Sequence, residues 1–578
     1  MSREINFMVA GEAGQGVQSV GFLLAKAFSR GGFHVFGNQD YESRVRGGHN
    51  FFRVRVKEGR VRAINETVDV LLALNKESID LHRRELADGG VVIFDNDKIA
   101  TPAGNGNQLG VPLEKLAEKE AGGKLMTNTV ALGAGLGLTG YDFEIVAELL
   151  REHFPAAEVG KNNVRAARAG YDYARNNFEG KFDHQLHPVS DIRRMLLTGN
   201  EALTLGAIAA GCKFMAAYPM TPASSIMEYF AAKAEDLGLV MVPAEDEISA
   251  MNMIVGASYA GVRALTATSG SGFCLMVEGL GMAGITETPI VVVDAQRPGP
   301  AVGLPTRTEQ GDLEFVLHAH HGEFPRAVLA PATIEDAFWS TVKAFNLADR
   351  YQLPVIILTD QHLASSYGTV DKFDMAQVTV DRGDLFTAGN DNEAGEYKRH
   401  RITRSGISPR AFPGQSRALV ITDTDEHNEE GHLIEDGPTR TAQVEKRLRK
   451  LFSLKQEISP PVLYGPKHAE TTLIGWGSTR GAISEAVDIL RGEGREINSL
   501  HFNDLWPFPG EEVADAMDRA HHSYVVENNA TGQLARLIAR ETGRKASGHI
   551  LKYDGRPFTP AQIAAKVREG KCDDGIHS

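Results

Sequence analysis

Four short apolar runs, residues 214–217, 264–267, 289–294 and 354–359, are spaced by helical stretches such as 201–211. A strand that is apolar along its whole length has both faces covered. Strands of that kind alternating with helices build a parallel sheet with helices on each side. On such sheets ligands gather beyond the carboxyl ends of the strands, so the residues following these runs are the ones to read for chemistry. After the first run comes Tyr218-Pro219-Met220-Thr221-Pro222-Ala223. The prolines push the residues before them away from helix, which makes a turn with the Thr221 hydroxyl at its tip. Next, Pro243-Ala-Glu-Asp-Glu-Ile-Ser-Ala250 carries acids from a strand end into a helix, placing Glu247 at the helix start, where an acid is favoured. From there Ala250, Ile254, Ala257 and Gly261 share one face, and three of the four are small enough to admit a flat ligand or another backbone. Ser269-Gly-Ser-Gly272 follows the second run and Arg297 the third. Each piece alone suits ordinary α/β packing with a capping acid. The convergence of Thr221, Glu247, Ser269 and Arg297 on one sheet edge argues for a single site.

Together these motifs resemble the α subunit of 2-oxoacid:ferredoxin oxidoreductases, thiamine-diphosphate enzymes that join or split a 2-oxoacid, coenzyme A and CO2. The resemblance covers nearly the whole chain. It implies a substrate contact at Thr221, a cofactor-binding shelf at Tyr218, Pro219 and Ser269, and an aminopyrimidine contact at Glu247. A carboxyl there stabilises the imino tautomer whose nitrogen takes the proton from the thiazolium C2. Two arginines compete for the substrate carboxylate, Arg297 and Arg307, the latter in Leu304-Pro-Thr-Arg-Thr-Glu-Gln310. A guanidinium suits a carboxylate because it offers two parallel donors, although a salt bridge to Asp294, Glu309 or Asp312 would use either arginine structurally.

The implied architecture is multidomain α/β: residues 1–185 a γ-type α/β domain, 195–372 a transketolase-like parallel-sheet pyrimidine-binding domain, 373–460 a polar crossover arm, and 461–578 an α/β domain like the transketolase C-terminal one. The first domain opens with a strand, the loop Gly11-Glu-Ala-Gly14-Gln-Gly16 and a helix over 17–29, the layout of an anion site. Its G-x-x-G-x-G spacing is neither the dinucleotide fingerprint nor a P-loop. Gly14-Gln-Gly16-Val17 and Arg46-Gly-Gly48 resemble the family's γ domain, which assigns Gly14, Gly16, Arg44 and Arg46 to seating coenzyme A or closing over the site. Residues 318–321 carry three histidines with no acid at ligand spacing, so no metal site is expected on this chain. In the last domain Glu527-Asn528-Asn529 looks like half of the metal-diphosphate motif, but no Gly-Asp-Gly precedes it.

That missing motif, and only three cysteines at positions 212, 274 and 572, mean that this chain supplies half of a catalyst. The expected partner is a smaller β subunit carrying Mg2+, the diphosphate site and a [4Fe-4S] cluster, in an (αβ)2 assembly that reduces ferredoxin. A net charge of −14 gives no sign of nucleic-acid binding. No apolar run is long enough for a membrane span, no leader is visible, and so few cysteines suit a reducing cytoplasm. A fused γ unit with no cluster domain points to 2-oxoglutarate. A pyruvate or broad-specificity enzyme, and a non-catalytic coenzyme-A-binding scaffold that tolerates loss of Glu247, are the competing readings.

Overall fold

The computed structural model describes residues 4–43, 47–100, 107–386 and 397–570. It divides into two compact units: residues up to Thr198 with Ser365–Lys372 and Thr559–Ala561, and the remainder from Gly199 onward.

The first unit is built on an eight-stranded sheet, in the order Asn107–Val111, Leu86–Asp95, Val68–Ala73, Glu4–Ala13, Gly47–Lys57, His34–Asp40, Tyr367–Val370 and Met195–Thr198. The Glu4–Ala13 strand is parallel to Val68–Ala73 and antiparallel to Gly47–Lys57, so one strand joins a parallel half to an antiparallel half. Its core holds Phe7, Phe28, Phe33 and Tyr141, and the Tyr141 hydroxyl donates to the Ala27 carbonyl at 2.7 Å. The helices Thr127–Leu138 and Ala157–Asn177 touch through glycine: a Cβ on Gly133 would lie 1.9 Å from the Ala167 oxygen, and one on Gly170 would lie 2.0 Å from that of Val130. Only residues without side chains let two backbones approach so closely.

The second unit contains a seven-stranded sheet, ordered Asp504–Trp506, Ala327–Leu329, Pro354–Asp360, Ile290–Gln296, Ala264–Thr268, Phe214–Ala217 and Val240–Pro243. The four apolar runs of the sequence are four of its central strands, and all neighbours pair in parallel except the edge strand Asp504–Trp506. Ile290–Gln296 and Pro354–Asp360 are buried at every position, which is why they read as unbroken apolar runs. A five-stranded sheet, centred on Thr471–Trp476, contributes Trp476, Leu500 and Phe502 to the same core as Val292 and Ile356. The protein is thus an α/β multidomain chain with parallel-sheet domains, as the sequence pattern required.

Glu527 is fully buried, and its carboxylate accepts hydrogen bonds from Trp476 Nε1, Asn529 Nδ2 and the backbone of Leu534 and Ala535. Asn528 N–H and Asn529 Nδ2 donate to Gln310 Oε1 and the Gln310 carbonyl. The Asn-Asn pair therefore fixes the 306–312 loop. Arg382 and Arg410 of the polar segment after residue 372 join Arg263 around Asp349, at 2.8, 2.9 and 2.8 Å. The Gly437–Leu454 helix that ends the segment buries Lys446 and Lys450 against Glu287.

Candidate active site

The strands Val240–Pro243, Phe214–Ala217, Ala264–Thr268 and Ile290–Gln296 are consecutive neighbours in the sheet, so the loops leaving their carboxyl ends are neighbours too. Those loops carry Glu247, the Tyr218–Pro222 turn, Ser269 and Arg297. The turn contains a cis Thr221–Pro222 peptide, with Tyr218 and Pro219 exposed and Thr221 half-buried. Arg297 donates from Nη1 to the Thr221 carbonyl at 2.7 Å and from Nη2 towards Ser271 Oγ at 3.5 Å. It thereby ties the turn to the start of the Gly270–Ile285 helix, and partial burial pulls its pKa below the ordinary arginine value. Met220 completes the junction, its sulfur accepting from the hydroxyls of Thr268 at 3.7 Å and Ser271 at 3.3 Å.

Glu247 opens the Glu247–Tyr259 helix, whose N-cap is Asp246: the Ser249 N–H donates to Asp246 Oδ1 at 2.7 Å. With the cap supplied by its neighbour, Glu247 is released to turn inward, where it is 4% exposed and its Oε1 has no hydrogen-bond partner. A Cβ on Gly272 would stand 2.7 Å from that Oε1 and 2.1 Å from Thr268 Oγ1. Ser269 is fully buried, and its Oγ also has no partner. Two polar atoms thus sit without partners among the described residues, at the ends of two strands that flank Phe214–Ala217, and an unmet buried polar group costs about 1–3 kcal/mol until a ligand supplies its hydrogen bond.

Arg307 lies elsewhere on the same unit, against the C-terminal segment. A Cβ on Gly555 would be 3.1 Å from Arg307 Cβ, and the neighbouring Thr308 N–H donates to the Gly555 carbonyl. Beside the helix start stands a carboxyl cluster that the sequence reading treated only as salt-bridge partners for the arginines. Asp294 is fully buried with both oxygens unpartnered, and burial, then the nearby Asp312, hold its pKa well above the usual range. Burial pushes Asp312 up to about 6, while burial and then Asp312 push Glu309 up to about 7. A Cβ on Gly270 would meet Asp312 Oδ2 at 2.5 Å, so the cluster adjoins the Ser269–Gly272 turn.

In the first unit Gly14 and Gly16 have positive φ, 95° and 77°, and Gly16 caps the Val17–Arg30 helix without a side-chain bond. Gln15 closes the loop on itself, accepting from the Glu12 N–H at 2.7 Å. Arg44 and Arg46 lie outside the described residues. Met220, Ser271, Gly272 and the Asp294–Asp312 cluster escaped the sequence reading. The two glycines in Ser269-Gly-Ser-Gly272 were the available signal, since glycine at alternate positions of a helix start marks close approach.

The chain matches three family models: "Pyruvate ferredoxin/flavodoxin oxidoreductase" over residues 6–173, "Pyruvate flavodoxin/ferredoxin oxidoreductase, thiamine diP-bdg" over 205–446, and "Pyruvate:ferredoxin oxidoreductase core domain II" over 469–563. It is 33% identical to a 2-oxoacid:ferredoxin oxidoreductase subunit alpha from a Sulfolobus species, covering 96% of this chain and 95% of that one. Over 64% of this chain and 97% of the other it is 32% identical to a 2-oxoglutarate synthase subunit from Methanothermobacter marburgensis. Among solved structures, 2-oxoglutarate:ferredoxin oxidoreductase from Magnetococcus marinus, with 2-oxoglutarate, coenzyme A and succinyl-CoA bound, superposes with a TM-score of 0.92 at 32% identity, covering 98% of this chain and 100% of that one. Among the described residues no helix is long and apolar enough to cross a membrane. The strand-end cluster around Glu247 lies inside the thiamine-binding match, and the chain belongs to the 2-oxoacid:ferredoxin oxidoreductases as an α subunit, a family of oxidoreductases that pass electrons to ferredoxin.

Proposed function

We propose that the chain is the α subunit of a 2-oxoglutarate:ferredoxin oxidoreductase, running 2-oxoglutarate + CoA + oxidised ferredoxin = succinyl-CoA + CO2 + reduced ferredoxin in either direction. The observation that carries this reading is the buried, unpartnered Oε1 of Glu247 at the carboxyl edge of the sheet. These residues fit the aminopyrimidine half of thiamine diphosphate: Oε1 offers a hydrogen-bond site for a ring nitrogen, Ser269 Oγ offers a second polar contact, and Gly272, without a side chain, lets Glu247 and Thr268 close against the helix start. Bound there, the cofactor supplies the carbanion and electron-sink chemistry that breaking a bond next to a keto group requires. Glu247 exchanges a proton at Oε1 with the pyrimidine ring nitrogen, and its low exposure keeps water from competing for that bond. Tyr218 and Pro219 form the exposed shelf beside it, and the Thr221 hydroxyl addresses the substrate.

Of the two arginines that compete for a substrate carboxylate, Arg297 is the better placed, beside Thr221 at the strand ends, whereas Arg307 packs against the Gly555 segment. The names of the Magnetococcus and Methanothermobacter relatives favour 2-oxoglutarate over pyruvate. The Sulfolobus relative is named for 2-oxoacids in general, so a broad-specificity enzyme is the second reading. With three cysteines in the chain, a [4Fe-4S] cluster, together with Mg2+ and the diphosphate site, belongs to a β subunit, in an (αβ)2 complex of the cytoplasm. Coenzyme A is seated by the N-terminal γ-type unit through Gly14, Gly16, Arg44 and Arg46.

The test is to co-express this chain with its small subunit and to measure CoA-dependent viologen reduction with 2-oxoglutarate, pyruvate and longer 2-oxoacids. A preference for 2-oxoglutarate in kcat/KM supports the reading. Equal rates across the panel favour the broad-specificity enzyme, and a complex that binds coenzyme A but turns over no 2-oxoacid is the scaffold.

A further inference from the structure

The N-terminal unit holds a chain of three side chains that none of the foregoing uses. His49 Nε2 lies 2.7 Å from His82 Nε2, and His82 Nδ1 lies 3.0 Å from Glu85 Oε1. Glu85 is held from its other side by Arg53, Nη2 to Oε2 at 2.5 Å, while Arg53 Nη1 donates to the carbonyls of Asn65 and Glu66. Phe51 packs its ring against both imidazoles, with centroids 6.0 Å from His49 and 5.0 Å from His82. His82 is buried, whereas His49 is half-buried on the Gly47–Lys57 strand, directly across from Glu12 at the foot of the glycine loop.

For neutral imidazoles the hydrogen-bond pattern fixes where the protons are. Burial pushes the Glu85 carboxyl up, but His82 and Arg53 outweigh it and keep Glu85 ionised, so Glu85 accepts from His82 Nδ1–H. A neutral His82 protonated at Nδ1 has a bare Nε2, which accepts from His49 Nε2–H. His49 Nδ1 is then left as a lone pair, and that atom is buried with no partner among the described residues. Burial and then His82 hold the His49 pKa below the ordinary histidine value, with Glu77, Asp40 and Glu42 pulling weakly the other way. Glu12 faces it across the strand pair, and the Glu42 carboxylate lies over Gly48, where a Cβ would meet Oε2 at 2.7 Å. A base at the end of a relay, flanked by carboxylates, suits a neutral proton donor.

We propose that His49 Nδ1, at the end of the Glu85–His82–His49 chain, is the proton-accepting site of the N-terminal unit for a thiol-bearing ligand, the thiol of coenzyme A. This rests on the reading that coenzyme A is seated by that unit. The thiol S–H bond breaks and an N–H bond forms at His49 Nδ1. The proton on His49 Nε2 passes to His82 Nε2, and the products are a thiolate and a His82 imidazolium lying against the Glu85 carboxylate. No electrons move. Glu85 is the positioning residue, because it fixes the His82 tautomer and stabilises the charge that arrives there.

The test uses the α chain in complex with its β subunit and compares wild type with His82→Gln and Glu85→Gln, measuring kcat/KM for coenzyme A at saturating 2-oxoacid from about pH 6 to about pH 9.5, a range that spans ordinary thiol ionisation near 8.5. Expected is a loss in His82→Gln of about 10²-fold at neutral pH, the low end for general base catalysis, narrowing as the thiol ionises unaided, with KM for the 2-oxoacid unchanged. Glu85→Gln shows a smaller loss with the same pH dependence, and it carries the test if His82→Gln does not fold. Equilibrium dialysis of coenzyme A and of its desulfo analogue, which lacks the S–H, should find both bound equally by wild type and variants. A loss that is uniform in pH, or no loss, overturns the relay while leaving the coenzyme A reading intact. A complex that needs no coenzyme A for turnover and does not bind it overturns both.

Discussion

Two buried glutamates in the same unit have opposite fates. Glu287 and Glu247 are 0% and 4% exposed, and each terminates or begins a segment beside the parallel sheet. Around Glu287 the fold supplies a full set of partners. Lys446 Nζ and His400 Nδ1 reach Oε1 at 2.5 and 3.0 Å, and Lys450 Nζ stands 2.5 Å from Oε2 as an ion pair, though not as a well-aligned hydrogen bond. Burial raises the Glu287 carboxyl, but the two ammonium groups and His400 outweigh it and hold it well below the usual range. Even its backbone, at φ 53°, is in the left-handed region where glycine is the easier choice, so the side chain is what the position is built for. Glu247 has no ion pair among the described residues, and its Oε1, packed against Gly272, has no hydrogen-bond partner among them. The first carboxylate is a fastener for the polar segment; the second keeps an oxygen without a partner among the described residues.

The sharpest way to break that contrast is to remove the fastener. Glu287→Ala leaves two ammonium groups buried and unpaired, which should cost about 3–5 kcal/mol, read as a lower denaturation midpoint or failure to fold. A midpoint near wild type would mean that the lysines find water and the clamp is ornamental. The close packing of Glu247 on the helix start is tested next by Gly272→Ala. The added methyl presses on Thr268 Oγ1 and Glu247 Oε1, so turnover should fall by about tenfold or more with a stability loss of about 1–3 kcal/mol. Retention of full activity would show that turnover does not depend on this contact.

A smaller effect separates the arginines. Arg297→Lys keeps the charge but loses the paired donors to Thr221 and Ser271, and should raise KM for the 2-oxoacid by about tenfold, corresponding to about 1.4 kcal/mol. If Arg307→Lys gives the larger change and Arg297→Lys none, the assignment of the two reverses. The smallest effect is in pH. Asp312 and Glu309, raised to about 6 and about 7 from ordinary values of 3.8 and 4.5, bind protons more tightly folded than unfolded. Their contribution is whole below the ordinary values and is gone once pH has risen through 6 to 7, so Asp312→Asn should flatten a fall in stability between about pH 4 and about pH 6. Glu426 has the opposite sign. Burial raises it, Arg447 and Arg440 more than offset that and bring it down to about 2, and its contribution is lost as pH falls from 4.5 towards 2.

Much of the sheet and the strand-end residues could be read from the sequence because a fully buried parallel strand leaves an unbroken apolar run, as Ile290–Gln296 does. Proline and glycine punctuated the Tyr218–Pro222 turn and the Ser269–Gly272 helix start for the same local reason. What escaped was non-local. The Asp504–Trp506 strand joins the seven-stranded sheet from nearly 180 positions beyond its partner, too short to show a period of its own. Glu287 meets lysines more than 150 residues away, and nothing within its own window announces them. The His49–His82 contact is of the same kind: two histidines 33 residues apart share a proton only because a strand and a helix bring their rings together.

The proposed reaction turns on Glu247. In the assembled complex, Glu247→Gln keeps the size of the side chain and removes its exchangeable acid, so CoA-dependent viologen reduction should fall by about 10²- to 10⁴-fold while the thermal midpoint of the chain stays at or above that of wild type. Turnover within about twofold of wild type, or a loss of activity matched by a loss of folding, would contradict it.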